Sequence, residues 1–93
     1  MRKPFFIVVD YCIEDRVYKD YIKDISAGGM FIETRMPFSV GQEVSLSFAF
    51  PNYQKHIKIT GEVVRIAPQG IGVKFKIANQ DQEAMVESLL ETI

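Results

Sequence analysis

The alternation of apolar and polar residues is the feature that most constrains the fold of this chain. In residues 71–77 every second side chain is apolar: Ile71, Val73, Phe75 and Ile77. A period of two is typical of a β-strand that buries one face and exposes the other. Residues 44–50 repeat this pattern. Strands of this length cannot bury their apolar faces alone, so several of them must assemble around a shared core.

Six β-rich segments follow one another along the chain, and turn residues separate them at intervals of about ten residues. They are residues 5–13, 17–25, 30–34, 44–50, 57–66 and 71–77. Since no helical pattern lies between them, the sequence predicts an all-β fold, a six-stranded antiparallel sheet closed into a β-barrel. Closure removes the exposed edges of an open sheet. Within the fifth segment, the inward face is predicted to shift by one residue at Gly61, as at a bulge or a sharp bend.

The C-terminal segment changes to a helical period. Asn79 is a favourable N-cap residue, and Gln82, three positions later, completes a capping-box pattern. The apolar residues that follow share one helical face: Met85, Val86, Leu89, Leu90 and Ile93. We therefore predict one short α-helix at residues 79–92 and a single domain over residues 1–93. In this division residues 1–4 form a flexible basic arm and residues 5–77 form the barrel.

Acidic residues recur on the predicted helix. Glu83, Glu87 and Glu91 are four residues apart and so share one helical face, where they repel each other. Two interpretations stay open at this point. The glutamates form either an ordinary solvated face or an acidic surface that meets a basic partner protein.

The composition narrows the possible functions. The formal net charge of −1 argues against binding to a nucleic-acid polymer. The longest apolar run, residues 5–9, is far too short to cross a bilayer, so no membrane insertion and a cytoplasmic location are expected. Cys12 has no partner for an intrachain disulfide and is predicted to be a buried, inert thiol. The single histidine, His56, belongs to no nucleophile grouping or metal-ligand spacing, so an enzyme is not expected.

A short polar motif precedes the third β-rich segment. In an extended chain Asp24 and Ser26 point to the same face, while Ile25 points into the core. A carboxylate beside a hydroxyl can pair with the polar edge of a base. Gly28 and Gly29 can adopt positive φ and let a ligand approach the backbone. The same residue types are also typical of an ordinary hairpin turn, and spacing alone does not separate the two interpretations.

The motif resembles a known family pattern. Asp24, Ser26 and Gly29 fit the DxSxxG motif of PilZ domains. Four further segments are similar to PilZ segments in the family's order: GGMFIET at residues 28–34, residues 38–41, GEVVR at residues 61–65 and GIGVKF at residues 70–75. The resemblance extends over roughly residues 2–90.

This resemblance implies a six-stranded β-barrel that binds the bacterial second messenger cyclic di-GMP without catalysing a reaction. The family's second motif, RxxxR, precedes the first strand, and Arg2 stands at the position of its second arginine, with Lys3 beside it. The first arginine of that motif would fall before Met1. Arg65 stands where family members often have a tryptophan that faces the ligand.

The resemblance also implies how such a domain acts. The expected ligand-binding residues are Arg2, Lys3, Asp24, Ser26, Gly28, Gly29 and Arg65, with Lys74 a weaker candidate. The expected output is a signal to an unknown protein effector in motility, pilus assembly, biofilm formation or a similar process, from a monomer or weak dimer. The alternative is a PilZ-type adaptor that binds no nucleotide and acts only through protein contacts.

Overall fold

The computed structural model describes residues 3–49 and 56–91, and for residues 3–6 and Leu89 it describes the backbone. Six strands and one helix follow one another along the chain. They are β1 (Lys3–Ile13), β2 (Arg16–Ser26), β3 (Gly29–Glu33), β4 (Glu43–Phe48), β5 (Ile57–Ala67), β6 (Gly70–Lys76) and α1 (Gln80–Glu91). Predicted residue Phe50 lies outside the described residues, and β1 begins two residues earlier than predicted.

The strands form a closed antiparallel barrel in the order β1-β2-β3-β6-β5-β4. The predicted all-β barrel with a C-terminal helix is therefore confirmed. The alternation in β6 places Ile71, Val73 and Phe75 in the barrel interior, and that in β4 places Val44, Leu46 and Phe48 there. Their polar neighbours in sequence point outward, so the outer face of the sheet is available for binding.

The predicted shift of the inward face at Gly61 is wrong. Alternate residues from Ile57 to Val63 all face inward, Gly61 included, and the register against β6 shifts between Val63 and Arg65 instead. A Cβ on Gly61 would lie 2.5 Å from Cγ1 of Val73, so only glycine fits at this inward position. Val64, which lies within this shift, is exposed at the barrel surface.

Helix α1 begins as predicted. The Asn79 side-chain oxygen accepts a hydrogen bond of 2.9 Å from the backbone N–H of Gln82, which is an N-cap interaction. The second bond of the predicted capping box differs, because the Gln82 side-chain oxygen accepts from the N–H of Ala78, one residue before the N-cap, at 2.8 Å. Val86 is buried against the barrel core, with Met85 partly buried beside it. No helix among the described residues is long and apolar enough to span a bilayer.

Cys12 and His56 are the two residues considered for chemistry, and neither is fully buried. Cys12 is only partly buried, contrary to the prediction, because the alternation of β1 turns it outward between the buried Tyr11 and Ile13. His56 is exposed, immediately before β5.

A buried phenol links β1 to β2. The Tyr11 hydroxyl donates a hydrogen bond of 2.6 Å to a carboxylate oxygen of Asp20, and its ring stacks on Tyr18. Burial, and then the hydrogen bond to Asp20, raise the pKa of Tyr11 well above its ordinary value. The folded protein therefore keeps this phenol protonated at a pH where the unfolded chain releases the proton.

Alkaline pH is accordingly expected to destabilise the fold through Tyr11. Below about pH 10 both states hold the proton, and above it the unfolded state binds fewer protons, so the free energy of unfolding falls by up to about 1.4 kcal/mol per pH unit. The Tyr11→Phe variant lacks this contribution, so its stability should fall less steeply between pH 10 and 11. Urea denaturation at several pH values measures the slope, and Tyr21→Phe, at an exposed tyrosine, is the control. Equal slopes in wild type and Tyr11→Phe would contradict the assignment.

Candidate functional site

A row of four cross-strand neighbours crosses the outer face of the barrel. Asp24 in β2 lies opposite Phe31 in β3, which lies opposite Gly72 in β6. Gly72 in turn lies opposite Arg65 in β5. The strand order therefore brings together residues as far apart in sequence as Asp24 and Gly72. The row joins a carboxylate, an aromatic ring and a guanidinium on one surface.

The row lies in an open cleft of about 350 Å³. Asp24, Ser26, Gly28, Gly29 and Arg65 all line this cleft. The cleft is of the size that small-ligand sites commonly have. These residues were selected from the sequence as candidates, and the structure brings them together in one place.

The remaining candidates lie at the cleft or beyond the described part of the chain. Lys74 lines the cleft. The backbone of Lys3 pairs with Ile25, and that of Pro4 with Asp24, so β1 begins beside the Asp24 segment. Arg2 lies outside the described residues.

Two bulges flank the row at its ends. The pairing of β2 with β3 shifts register between Ile22 and Asp24, and the pairing of β5 with β6 shifts between Val63 and Arg65. A bulge redirects the side chains that follow it and is common beside binding sites. Each of the two charged ends of the row thus lies directly after a bulge.

The turn between β2 and β3 is held by backbone contacts. The N–H of Phe75 donates to the carbonyl of Gly28 at 2.8 Å, and the Ser26 hydroxyl makes a long contact of 3.5 Å to the carbonyl of Gly29. Neither glycine has positive φ, contrary to one expectation from the sequence. Gly29 is required for a different reason, because a Cβ there would lie 2.1 Å from the carbonyl oxygen of Val73. Gly28 has nothing within 4 Å of the same position.

The cleft contains an aromatic residue that the sequence analysis did not select. Phe31 is partly buried on the outer side of β3, between the inward-facing Met30 and Ile32. The signal was present in GGMFIET, where alternation turns an aromatic residue to the same face as the charged Glu33. An outward-facing aromatic beside charged residues is a better indicator of binding than of core packing.

Positive charge borders the cleft. Arg65 and Lys74 are both exposed, and neither forms an ion pair with another residue of the described ranges 3–49 and 56–91. The Arg65 guanidinium carbon lies 5.8 Å from the centre of the Phe31 ring. Cations without a neutralising partner attract an anionic ligand, while Asp24 offers an acceptor for hydrogen-bond donors.

The described residues thus form a small closed β-barrel with a polar cleft on its outer face. The family model for the PilZ domain matches residues 1–92, so the chain belongs to the PilZ domain family. No curated protein matches the sequence significantly.

Solved structures with the same fold include several from this family. The chain is similar to the PilZ domain of CeSA from a cellulose-synthesizing bacterium, with a TM-score of 0.80, 20% identity and coverage of 96% of this chain and 93% of that one. It is similar to the Bacillus subtilis inhibitor of motility MotI/DgrA, with a TM-score of 0.73 and 20% identity; 98% of this chain aligns with 48% of that one. The chain thus spans about half the length of that inhibitor.

A third similar structure contains a ligand. It is the Borreliella burgdorferi PlzA protein in complex with c-di-GMP, with a TM-score of 0.65, 18% identity and coverage of 94% of this chain and 38% of that one. At these identities the likeness establishes the fold.

Proposed function

We propose that this domain is a non-enzymatic cytoplasmic receptor for cyclic di-GMP. The observation that carries the proposal is the meeting of Asp24 and Ser26 of β2 with Arg65 of β5 in one cleft. These are the residue types that recognise a guanine edge and a phosphate. Family membership and the ligand of PlzA support the same choice.

The proposed roles follow from the chemistry of each group. The Asp24 carboxylate accepts from guanine N1–H and the exocyclic amine, and the Ser26 hydroxyl binds beside it. Arg65 offers planar donors to phosphate or to guanine O6 and N7. Arg2 and Lys3 are assigned to the phosphates, since β1 starts next to Asp24. Gly28 and Gly29 leave the backbone of the turn accessible to the ligand.

We propose that a protein effector recognises the ligand-bound form of the domain. A ligand held between the start of β1 and the cleft changes the surface that a partner contacts. Motility, which MotI/DgrA inhibits, and cellulose synthesis, which the bacterium that carries CeSA performs, are examples of suitable outputs.

The Arg65→Ala variant tests the positive side of the cleft. Loss of one guanidinium contact is expected to weaken cyclic di-GMP binding by about 5- to 50-fold, whereas Arg65→Lys, which keeps the charge, should lose less. Isothermal titration calorimetry on wild type and both variants measures the affinities. Equal affinity in all three would remove Arg65 from the site.

A second function is favoured by one observation on helix α1. Glu83, Glu87 and Glu91 are all exposed and form a continuous acidic face. An adaptor that binds no nucleotide and meets a basic partner through this face would need no ligand in the cleft. Absence of cyclic di-GMP binding by the folded wild type would favour this function over the receptor.

A further inference from the structure

Two cations from opposite flanks converge on the Phe31 ring. Lys23, in the bulge of β2, places its ammonium nitrogen 5.9 Å from the ring centre, and Arg65 in β5 places its guanidinium carbon 5.8 Å from it. Both distances are within the range of a cation–π interaction. Phe31 therefore lies between two cations: Arg65 lines the cleft, whereas Lys23 lies outside its lining and donates a hydrogen bond of 3.2 Å to the Gln69 side-chain oxygen.

One glycine of β6, Gly70, makes room for the edge of the Phe31 ring. A Cβ on Gly70 would lie 2.9 Å from Cε1 of Phe31, so the ring edge occupies the space above this glycine. Gly72, the direct neighbour of Phe31 across the β3–β6 pair, would place a Cβ 3.3 Å from Cβ of Arg65, with no atom of the ring within 4 Å. The ring thus lies toward Gly70 and keeps a partly exposed surface. Such a ring is fixed in position and available for stacking.

We propose that Phe31 is the platform on which a purine base of the bound nucleotide stacks, with Lys23 and Arg65 turning from the ring to the phosphates. This inference rests on the proposed function and names a residue and a contact beyond it. Asp24 lies directly opposite Phe31 in the β2–β3 pair, so the edge of a base on the ring faces the carboxylate. Aromatic side chains bind bases in this way because every base has a π face.

The test distinguishes stacking of a base on the Phe31 ring from simple contact with an apolar side chain at this position. Phe31→Leu keeps an apolar side chain over Gly70 but removes the ring, and Phe31→Tyr keeps the ring. Calorimetric titration with cyclic di-GMP is expected to show an affinity about 5- to 150-fold lower for Phe31→Leu and within about 3-fold of wild type for Phe31→Tyr. Tyr21→Leu, at an exposed aromatic on β2 outside the cleft, is the matched control and should bind like wild type.

A direct readout accompanies the affinities. With selectively labelled phenylalanine, the ring-proton NMR signals of Phe31 should move upfield on addition of cyclic di-GMP, because a stacked purine shields them. If wild type and Phe31→Leu bind with equal affinity, or if the Phe31 signals do not move when wild type binds, Phe31 is not the stacking platform. Either result would leave the proposed receptor function unaffected. No binding by the folded wild type would overturn both.

Discussion

The Gly29→Ala variant is expected to lose about 3 kcal/mol of folding free energy. A Cβ at this position would meet the Val73 carbonyl oxygen at 2.1 Å and the Lys74 Cα at 3.2 Å, both backbone atoms of β6. Backbone cannot rotate away as a flexible side chain can. The β3–β6 ladder must therefore separate at its first pair, where Gly29 lies opposite Lys74. For a domain of this size the loss lowers the melting temperature by roughly 12 to 24 °C.

Gly28→Ala is the matched control for this prediction. The added Cβ has nothing within 4 Å, and the φ of Gly28 is not positive. Its stability should stay within about 0.5 kcal/mol of wild type or rise slightly, because alanine restricts the unfolded chain. Urea denaturation of both variants measures the difference. Equal stability of the two alanine variants would contradict the close approach of β3 and β6.

The Asp24→Ala variant is expected to weaken cyclic di-GMP binding by about 3 kcal/mol, or roughly 150-fold. Two donors of the guanine edge would lose a charged acceptor. The direction is informative, since the ligand is an anion and removal of a nearby negative charge should by itself strengthen binding. A loss of affinity therefore indicates a specific contact with Asp24.

The control for Asp24 is a carboxylate outside the cleft. Glu33 is exposed on β3, two residues beyond Phe31, and lies outside the cleft lining. Glu33→Gln removes one negative charge from the same side of the barrel and should leave affinity unchanged or slightly higher. Calorimetry measures both variants, with melting temperatures to verify folding. Asp24→Ala binding as tightly as Glu33→Gln would remove Asp24 from the site.

The architecture could be predicted because period-two alternation determines which residues face inward. It was sufficient for β4 and β6, whose inward residues are apolar without exception. It failed within β5, where Gly61 faces the core without an apolar side chain to reveal it. The exposed Val64 and Ile66 then looked like core residues. The register of β5 against β6 determines which residues of β5 face inward. The pattern of β5 alone does not reveal this register.

The candidate site was predictable in part. Asp24 and Ser26 are two residues apart in one strand, so their shared face follows from local geometry. Arg65 entered through the family resemblance, and its place in the cleft depends on the strand order β2-β3-β6-β5, a long-range property. Phe31 was missed because an aromatic residue in an apolar strand is usually core. Its position on the outer face depends on the pairing of β3 with β6, where Gly70 leaves room for the edge of the ring.

The most direct test of the receptor function compares two cyclic dinucleotides on the folded wild-type protein. Adenine lacks the N1–H and exocyclic 2-amine that Asp24 is proposed to bind, so cyclic di-AMP should bind at least about tenfold more weakly than cyclic di-GMP. Isothermal titration calorimetry at ligand concentrations up to about 100 μM should show saturable binding of cyclic di-GMP. No heat with cyclic di-GMP, or equal affinity for the two ligands, would contradict a guanine-reading cleft.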